Sequence, residues 1–216
     1  KKAYDIYSNM DAKLNMGINL ANLGDAYFEK GDFKDSEKNL KESLQIFRDT
    51  NSKANECEVL YYLAKNYFYN DENAQAINSL NDAIKICEEQ KDMNMLSKSY
   101  FLLSKALLSD NNAKESYDAI KQAADASEKI ENKFLKQDIN LFKEYLKSHI
   151  DKNFSLDQLD NLNKDFDDKN AAVFYFLRWK ISNSEADRKE SISKFSNLYE
   201  SKPSFTYLYY LNLLKK

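Results

Sequence analysis

Ser43-Leu44-Gln45-Ile46-Phe47 and Ala83-Ile84-Lys85-Ile86-Cys87 lie 40 residues apart and carry similar residue classes in the same order. The spacing extends backward to Ala3-Tyr4-Asp5-Ile6-Tyr7 and forward to Ala123-Ala124-Asp125-Ala126-Ser127. Self-similarity at a period of about 20 to 50 residues marks a stacked array whose units bury their apolar faces against their neighbours. The period is already running at the first residues. Residues 1–16 therefore read as the second half of a truncated repeat, and the chain reads as a piece of something longer.

Starting the unit at Gly17, Cys57 and Ser97 aligns one helical face: Leu20, Leu60 and Tyr100 at the fourth position, Leu23, Leu63 and Leu103 at the seventh, Gly24, Ala64 and Ser104 at the eighth, Tyr27, Tyr67 and Leu107 at the eleventh. A second face follows: Ser36, Ala76 and Ser116; Leu40, Leu80 and Ile120; Ser43, Ala83 and Ala123. These are helix periods. The small residues at the eighth, twentieth and twenty-seventh positions allow two antiparallel helices to approach closely. Lys30-Gly31-Asp32, Asn70-Asp71-Glu72-Asn73 and Asp110-Asn111-Asn112 stand between the faces as polar turns with stop and N-cap residues.

Composition agrees. With three Gly and one Pro in 216 residues there is little material for hairpins or Gly-rich loops, so the fold should be almost purely helical. Lys and Arg total 32 against 35 Asp and Glu, a net charge of -3 that disfavours nucleic-acid binding through phosphate neutralisation. No apolar run approaches the roughly 20 residues that a membrane helix needs. No membrane role is expected of this segment, and no targeting pattern is visible in it. Cys57 and Cys87 fall near the start of one helix and the end of its antiparallel partner. Two thiols make no disulfide framework, so the expectation is a reduced, buried, structural pair.

Asn22-Leu23-Gly24-Asp25-Ala26-Tyr27-Phe28-Glu29-Lys30-Gly31-Asp32-Phe33 resembles the first helix and turn of the tetratricopeptide repeat. That family's usual unit is about 34 residues with a Pro near its end. Here the second helix is longer and the first three units lack the Pro, which resembles the long-repeat subclass of Pins-type polarity adaptors, bacterial Rap-type peptide receptors and some bacterial sensor kinases. The resemblance implies an all-α fold, a right-handed α-α superhelix of antiparallel helix pairs. Residues 17–133 are then three regular units, and residues 134–216 are divergent helical hairpins with a C-terminal helix.

In the divergent part Glu144 stands where a small eighth residue belongs. A short helix is expected around Leu156, Leu159, Leu162 and Phe166. A hairpin should follow over residues 171–199, with Trp179 at an eighth position that puts close packing in doubt. The last helix, Ser204 to Leu214, is aromatic almost all round. Such a face calls for coverage by further protein, for self-association, or for partner docking.

Catalysis finds little support. The one His, His149, has no second imidazole with which to share a metal, and reads as a helix-end residue. Asp160, Asp165, Asp167 and Asp168 lack the ordered alternation of a calcium loop and read as a solvated acidic turn. There is no phosphate loop or nucleophile elbow. Neither an enzyme nor a cofactor is expected.

The resemblance does imply a ligand groove lined by the second, fifth, sixth, ninth, twelfth and thirteenth positions of each first helix. The candidate residues are Asn22, Asp25 and Phe28 in the first unit, Tyr61, Tyr62, Lys65, Phe68 and Tyr69 in the second, and Lys98, Phe101 and Lys105 in the third. The aromatic residues supply flat apolar area with polar handles, a hot-spot composition. The family's carboxylate clamp is absent, since Ala21 with Asp25 and Tyr61 with Lys65 occupy its places. Lys65, Lys98 and Lys105 form a smaller positive strip suited to acidic ligand groups. The leading expectation is a non-catalytic scaffold that binds a protein or peptide. The alternative is a sensor or regulatory segment of a larger bacterial signalling protein whose kinase, cyclase or DNA-binding effector lies elsewhere, and a third reading is an architectural spacer. The cytoplasm is the expected compartment, with an extracytoplasmic sensor segment as the alternative.

Overall fold

The computed structural model describes residues 2–162 and 166–215, with residues 2–9 described by backbone alone. Among them are eleven helices and no strand: α1 (Lys2–Glu29), α2 (Phe33–Asp49), α3 (Lys53–Tyr69), α4 (Asn73–Gln90), α5 (Met93–Ser109), α6 (Ala113–Ser127), α7 (Lys133–Ile150), α8 (Leu156–Asp160), α9 (Asp168–Ser182), α10 (Glu185–Ser201) and α11 (Phe205–Lys215). The chain divides into two compact units, with the boundary inside α5 between Leu102 and Leu103.

In the first unit α1 packs on α2, α2 on α3 and α3 on α4. Small residues set how closely each pair approaches. A Cβ on Gly24 would lie 2.6 Å from the Leu40 side chain, and one on Gly17 would lie 2.8 Å from the Phe47 ring. The Ser43 hydroxyl donates to the Gly17 carbonyl at 2.7 Å, a bond that requires the two helices to nearly touch. Ala64 and Ala76 repeat the Gly24 and Ser36 positions and are fully buried. In the second unit the Ser104 and Ser116 hydroxyls each donate to the other's backbone carbonyl at 2.7 Å.

The turns repeat as strictly. Gly31, Asp71 and Asn111 have positive φ between the helices of a pair, and Asn51 and Lys91 have it between one pair and the next. Gly, Asn and Asp tolerate the left-handed region best. Asp32 and Asn132 cap α2 and α7 through their side chains.

Two expectations need correction. The boundary at Gly17 carries no turn, because α1 runs unbroken from Lys2 to Glu29. The expected half repeat and the first helix are thus one 28-residue helix. Leu23, expected in the core, is 45% exposed, whereas Leu63 is 3% exposed and Leu103 8% exposed. The physical reason is that α3 has the preceding second helix against it, whereas among the described residues no helix covers that face of α1.

The second correction concerns the cysteines. Cys57 and Cys87 form a disulfide with a Cα separation of 6.1 Å, so the pair is not reduced. One period earlier the same two places hold Gly17 and Phe47, which touch. The hairpin register therefore sets the two sulfurs face to face.

In the second unit α6 packs on α7, α7 on α9, α9 on α10 and α10 on α11, while α8 lies against α7 and α9. The short helix expected near Leu156 is α8, and its Leu159 is fully buried. Trp179 does not obstruct the last hairpin. The close contact there is between Ser191 and the Ala172 carbonyl, at 3.1 Å. Trp179 sits in the last turn of α9, with the Arg188 guanidinium 5.6 Å from its ring centre. Much of the aromatic surface of α11 is used internally. Tyr210 stacks on Phe195 at 4.7 Å and meets Phe176 edge-on at 5.0 Å, and Leu211 and Leu214 are buried.

Two measurements check this packing. Gly24→Leu should destabilise the chain by about 2 to 3 kcal/mol through overpacking against the fully buried Leu40, read as a lower urea midpoint at constant slope. Alkylation without reductant should modify no cysteine, and dithiothreitol should lower the melting temperature, since opening a loop of this length removes about 3 to 4 kcal/mol in the chain-entropy limit.

Candidate functional site

The candidate residues of the first unit divide by helix geometry. The twelfth position lies one helical turn beyond the eighth, so it continues the close-contact row. Phe28 and Phe68 are accordingly buried, at 2% and 8% exposure. The Phe28 ring centre lies 6.0 Å from Phe33 and 5.5 Å from Tyr69, and Phe68 meets Tyr69 edge-on at 5.1 Å. These two phenylalanines form the floor of the site and offer little surface to a ligand.

The sixth, ninth and thirteenth positions stay accessible. They give Asn22, Asp25 and Glu29 on α1, and Tyr62, Lys65 and Tyr69 on α3. Asn22 is exposed and the others are half-buried. Tyr61 joins them, its ring centre 5.9 Å from that of Tyr62. The Tyr62 hydroxyl donates to the Glu58 carboxylate at 3.0 Å. Burial, reinforced by the negative charges of Glu58 and Asp25, holds the Tyr62 hydroxyl well above the ordinary tyrosine range, so it stays a neutral donor.

Lys65 holds the two helices together. Its Nζ lies 3.3 Å from an Asp25 oxygen and 3.2 Å from a Glu29 oxygen, and 4.0 Å above the centre of the Phe28 ring. The expected positive strip is therefore interrupted, because this ammonium is engaged by two carboxylates of the neighbouring helix. The sequence carried a signal for the pairing: Asp25 and Lys65 are opposite charges at the same position of consecutive units.

Lys98 and Phe101, the α5 candidates of the first unit, are half-buried. Lys105 belongs to the second unit and is half-buried too, 5.8 Å from the Phe142 ring centre. Burial, partly offset by the Asp138 charge, pushes its ammonium down to about 8. Asp138 accepts from Lys169 at 2.6 Å and from the Asn170 amide at 2.7 Å.

The acidic turn has structural employment. Asp160 and Asp187 both bind the Arg178 guanidinium, at 2.9 and 2.6 Å, and Asp167 caps α9 by accepting from the Asn170 backbone N–H at 2.6 Å. Asp165 lies outside the described residues. His149 is exposed at the end of α7, edge-on to Tyr145 at 4.6 Å. Among the described residues no group of three or more His, Cys, Asp or Glu is placed to hold a metal, and no helix is long and apolar enough to cross a membrane.

Residues 15–89 match the tetratricopeptide repeat family. No curated protein sequence matches the chain. Among solved structures, the apo form of RapI is similar over 88% of this chain and 70% of its own, at 16% identity and a TM-score of 0.73. The kinesin light chain with nearly identical TPR-like repeats from Podosopora anserina is similar over 94% of this chain and 96% of its own, at 12% identity and a TM-score of 0.56. At these identities the likeness is one of fold. Residues 15–89 thus resemble tetratricopeptide repeats, and within each unit the described helices form the repeated antiparallel hairpins of that fold.

Replacing Lys65 by Met keeps the stem over Phe28 but leaves Asp25 and Glu29 facing each other one turn apart. The expected loss is about 1 kcal/mol, the sum of two partly exposed pairs and a cation–π contact. Urea unfolding at low and high salt checks it, and the difference from the parent should shrink as salt rises.

Proposed function

We propose that the chain is a non-catalytic protein-binding scaffold, and that the row formed by α1 and α3 holds a peptide or an extended protein segment. One observation supports this above the others. Tyr61, Tyr62 and Tyr69 stand half-buried on α3, Tyr69 against the buried Phe28 and Phe68, and Asn22 on α1 is exposed. Such tyrosines offer apolar area already partly immobilised, so less side-chain entropy is lost when a ligand covers them. The solenoid fold is consistent with this reading, since arrays of this kind present extended surfaces to partners.

The charge on this row bears on the ligand. Asp25, Glu29 and Glu58 outnumber Lys65, so an apolar or aromatic segment with basic flanks fits better than an acidic one. The cysteines bear on the compartment as well. A persistent disulfide suits an oxidising environment, so we place the segment outside the cytoplasm.

Selection of a displayed library of random peptides on the whole chain tests the scaffold. Recovered peptides should be rich in aromatic and basic residues. The double variant Tyr61→Ala, Tyr62→Ala should bind them about 30-fold more weakly, the scale of a hot-spot truncation, with an unchanged melting temperature. Recovery of no peptide, or full affinity in the double variant, overturns the reading.

A further inference from the structure

The face of α1 that carries Met16 and Leu23 is uncovered, with these residues 49% and 45% exposed. One period on, the same places hold Glu56 and Leu63, which are 4% and 3% exposed. On the Glu56 side α3 packs on α2, the second helix of the preceding unit. Arg48 near its end reaches the Glu56 carboxylate at 3.0 Å. The structure therefore shows which kind of element this face receives.

The chain contains another copy of that element. Ala3, Ile6 and Tyr7 stand in the register of Ser43, Ile46 and Phe47, and of Ala83, Ile86 and Cys87. The turn that would seat it is present as well. The chain passes from a second helix into the next first helix through a left-handed residue, Asn51 at φ 53° and Lys91 at φ 57°. One period before Asn51 is Asp11, a residue type that tolerates this region. In the straight α1 this latent turn is helical.

We infer that residues 2–9 are a detachable second helix, which folds back at residues 9–11 onto the Met16 face of α1 and closes that edge of the array. Two features keep the equilibrium between straight and folded-back forms within reach. The straight form extends an existing helix and needs no new nucleus. The turn is weakly built, because Ala12 supplies no capping oxygen, whereas Asp92, in the equivalent place two periods on, accepts from the Met95 backbone N–H at 3.0 Å.

A nitroxide on Lys2→Cys tests this in the whole chain, since Cys57 and Cys87 are bonded to each other and take no label. In the straight helix Lys2 is about 27 Å from Leu20 and about 32 Å from Leu23, at about 1.5 Å of rise per residue. Folded back, it comes within about 10 Å of both, the spacing of packed helices. The Leu20 and Leu23 methyl signals should lose most of their intensity, and Asp11→Ala, which favours the straight form, should restore it. Full intensity in the parent overturns the inference. So does loss that appears only when spin-labelled chains are mixed with separately methyl-labelled ones, because the occupant would then be a second copy.

Discussion

Two helices can come close enough for a serine hydroxyl on one to reach a main-chain carbonyl on the other only where neither carries a bulky side chain at the crossing. Gly17 with Ser43, Ser104 with Ser116 and Ala172 with Ser191 make that bond, and Gly24 lets the Ser36 backbone come as near. The rest of the packing follows from these contacts. They fix the register of each hairpin, and the register decides which larger residues meet: Leu40 over Gly24, Phe47 over Gly17, and Cys87 against Cys57. The disulfide is thus a product of hairpin geometry, since its half-cystines occupy positions that touch in the neighbouring unit whatever residues fill them.

The same constraint separates floor from surface in the candidate site. The close-contact row runs along α1 through Gly24 to Phe28, and along α3 through Ala64 to Phe68, and it buries both phenylalanines. The adjoining row of Asn22, Asp25 and Glu29, with Tyr62, Lys65 and Tyr69, stays exposed or half-buried. On that row Lys65 is shared between Asp25 and Glu29 above the Phe28 ring. The surface is therefore aromatic and mildly acidic, and its one central cation serves the contact between two helices.

Repetition also explains where apolar surface is left open. A first helix needs a second helix on each side, and α3 has both α2 and α4. Among the described residues no second helix covers the Met16 and Leu23 face of α1, although its own first residues repeat the sequence of a second helix. A straight helix satisfies the backbone at once, whereas a turn satisfies the side chains, and the chain holds the sequence for either. In the second unit the aromatic excess of α11 is drawn inward by Phe176 and Phe195.

Periodicity alone determined the helical hairpins, the small-residue contacts, the left-handed turns and the family resemblance, because each depends on residue type at a fixed offset and recurs every 40 residues. The sequence also held the short helix near Leu156, whereas the acidic turn, read from sequence as solvated, proved to hold Arg178 and to cap α9. Tertiary structure decided what periodicity cannot express. That Phe28 and Phe68 are floor depends on which side of the helix meets a partner. That Lys65 is bound depends on two helices brought together across 40 residues of chain, as Lys65 reaches Asp25. That Cys57 and Cys87 join depends on an antiparallel register with a Cα separation of 6.1 Å. That Leu23 is exposed while Leu63 is buried depends on the presence or absence of a neighbour, and two identical residues at identical offsets cannot report that difference by themselves.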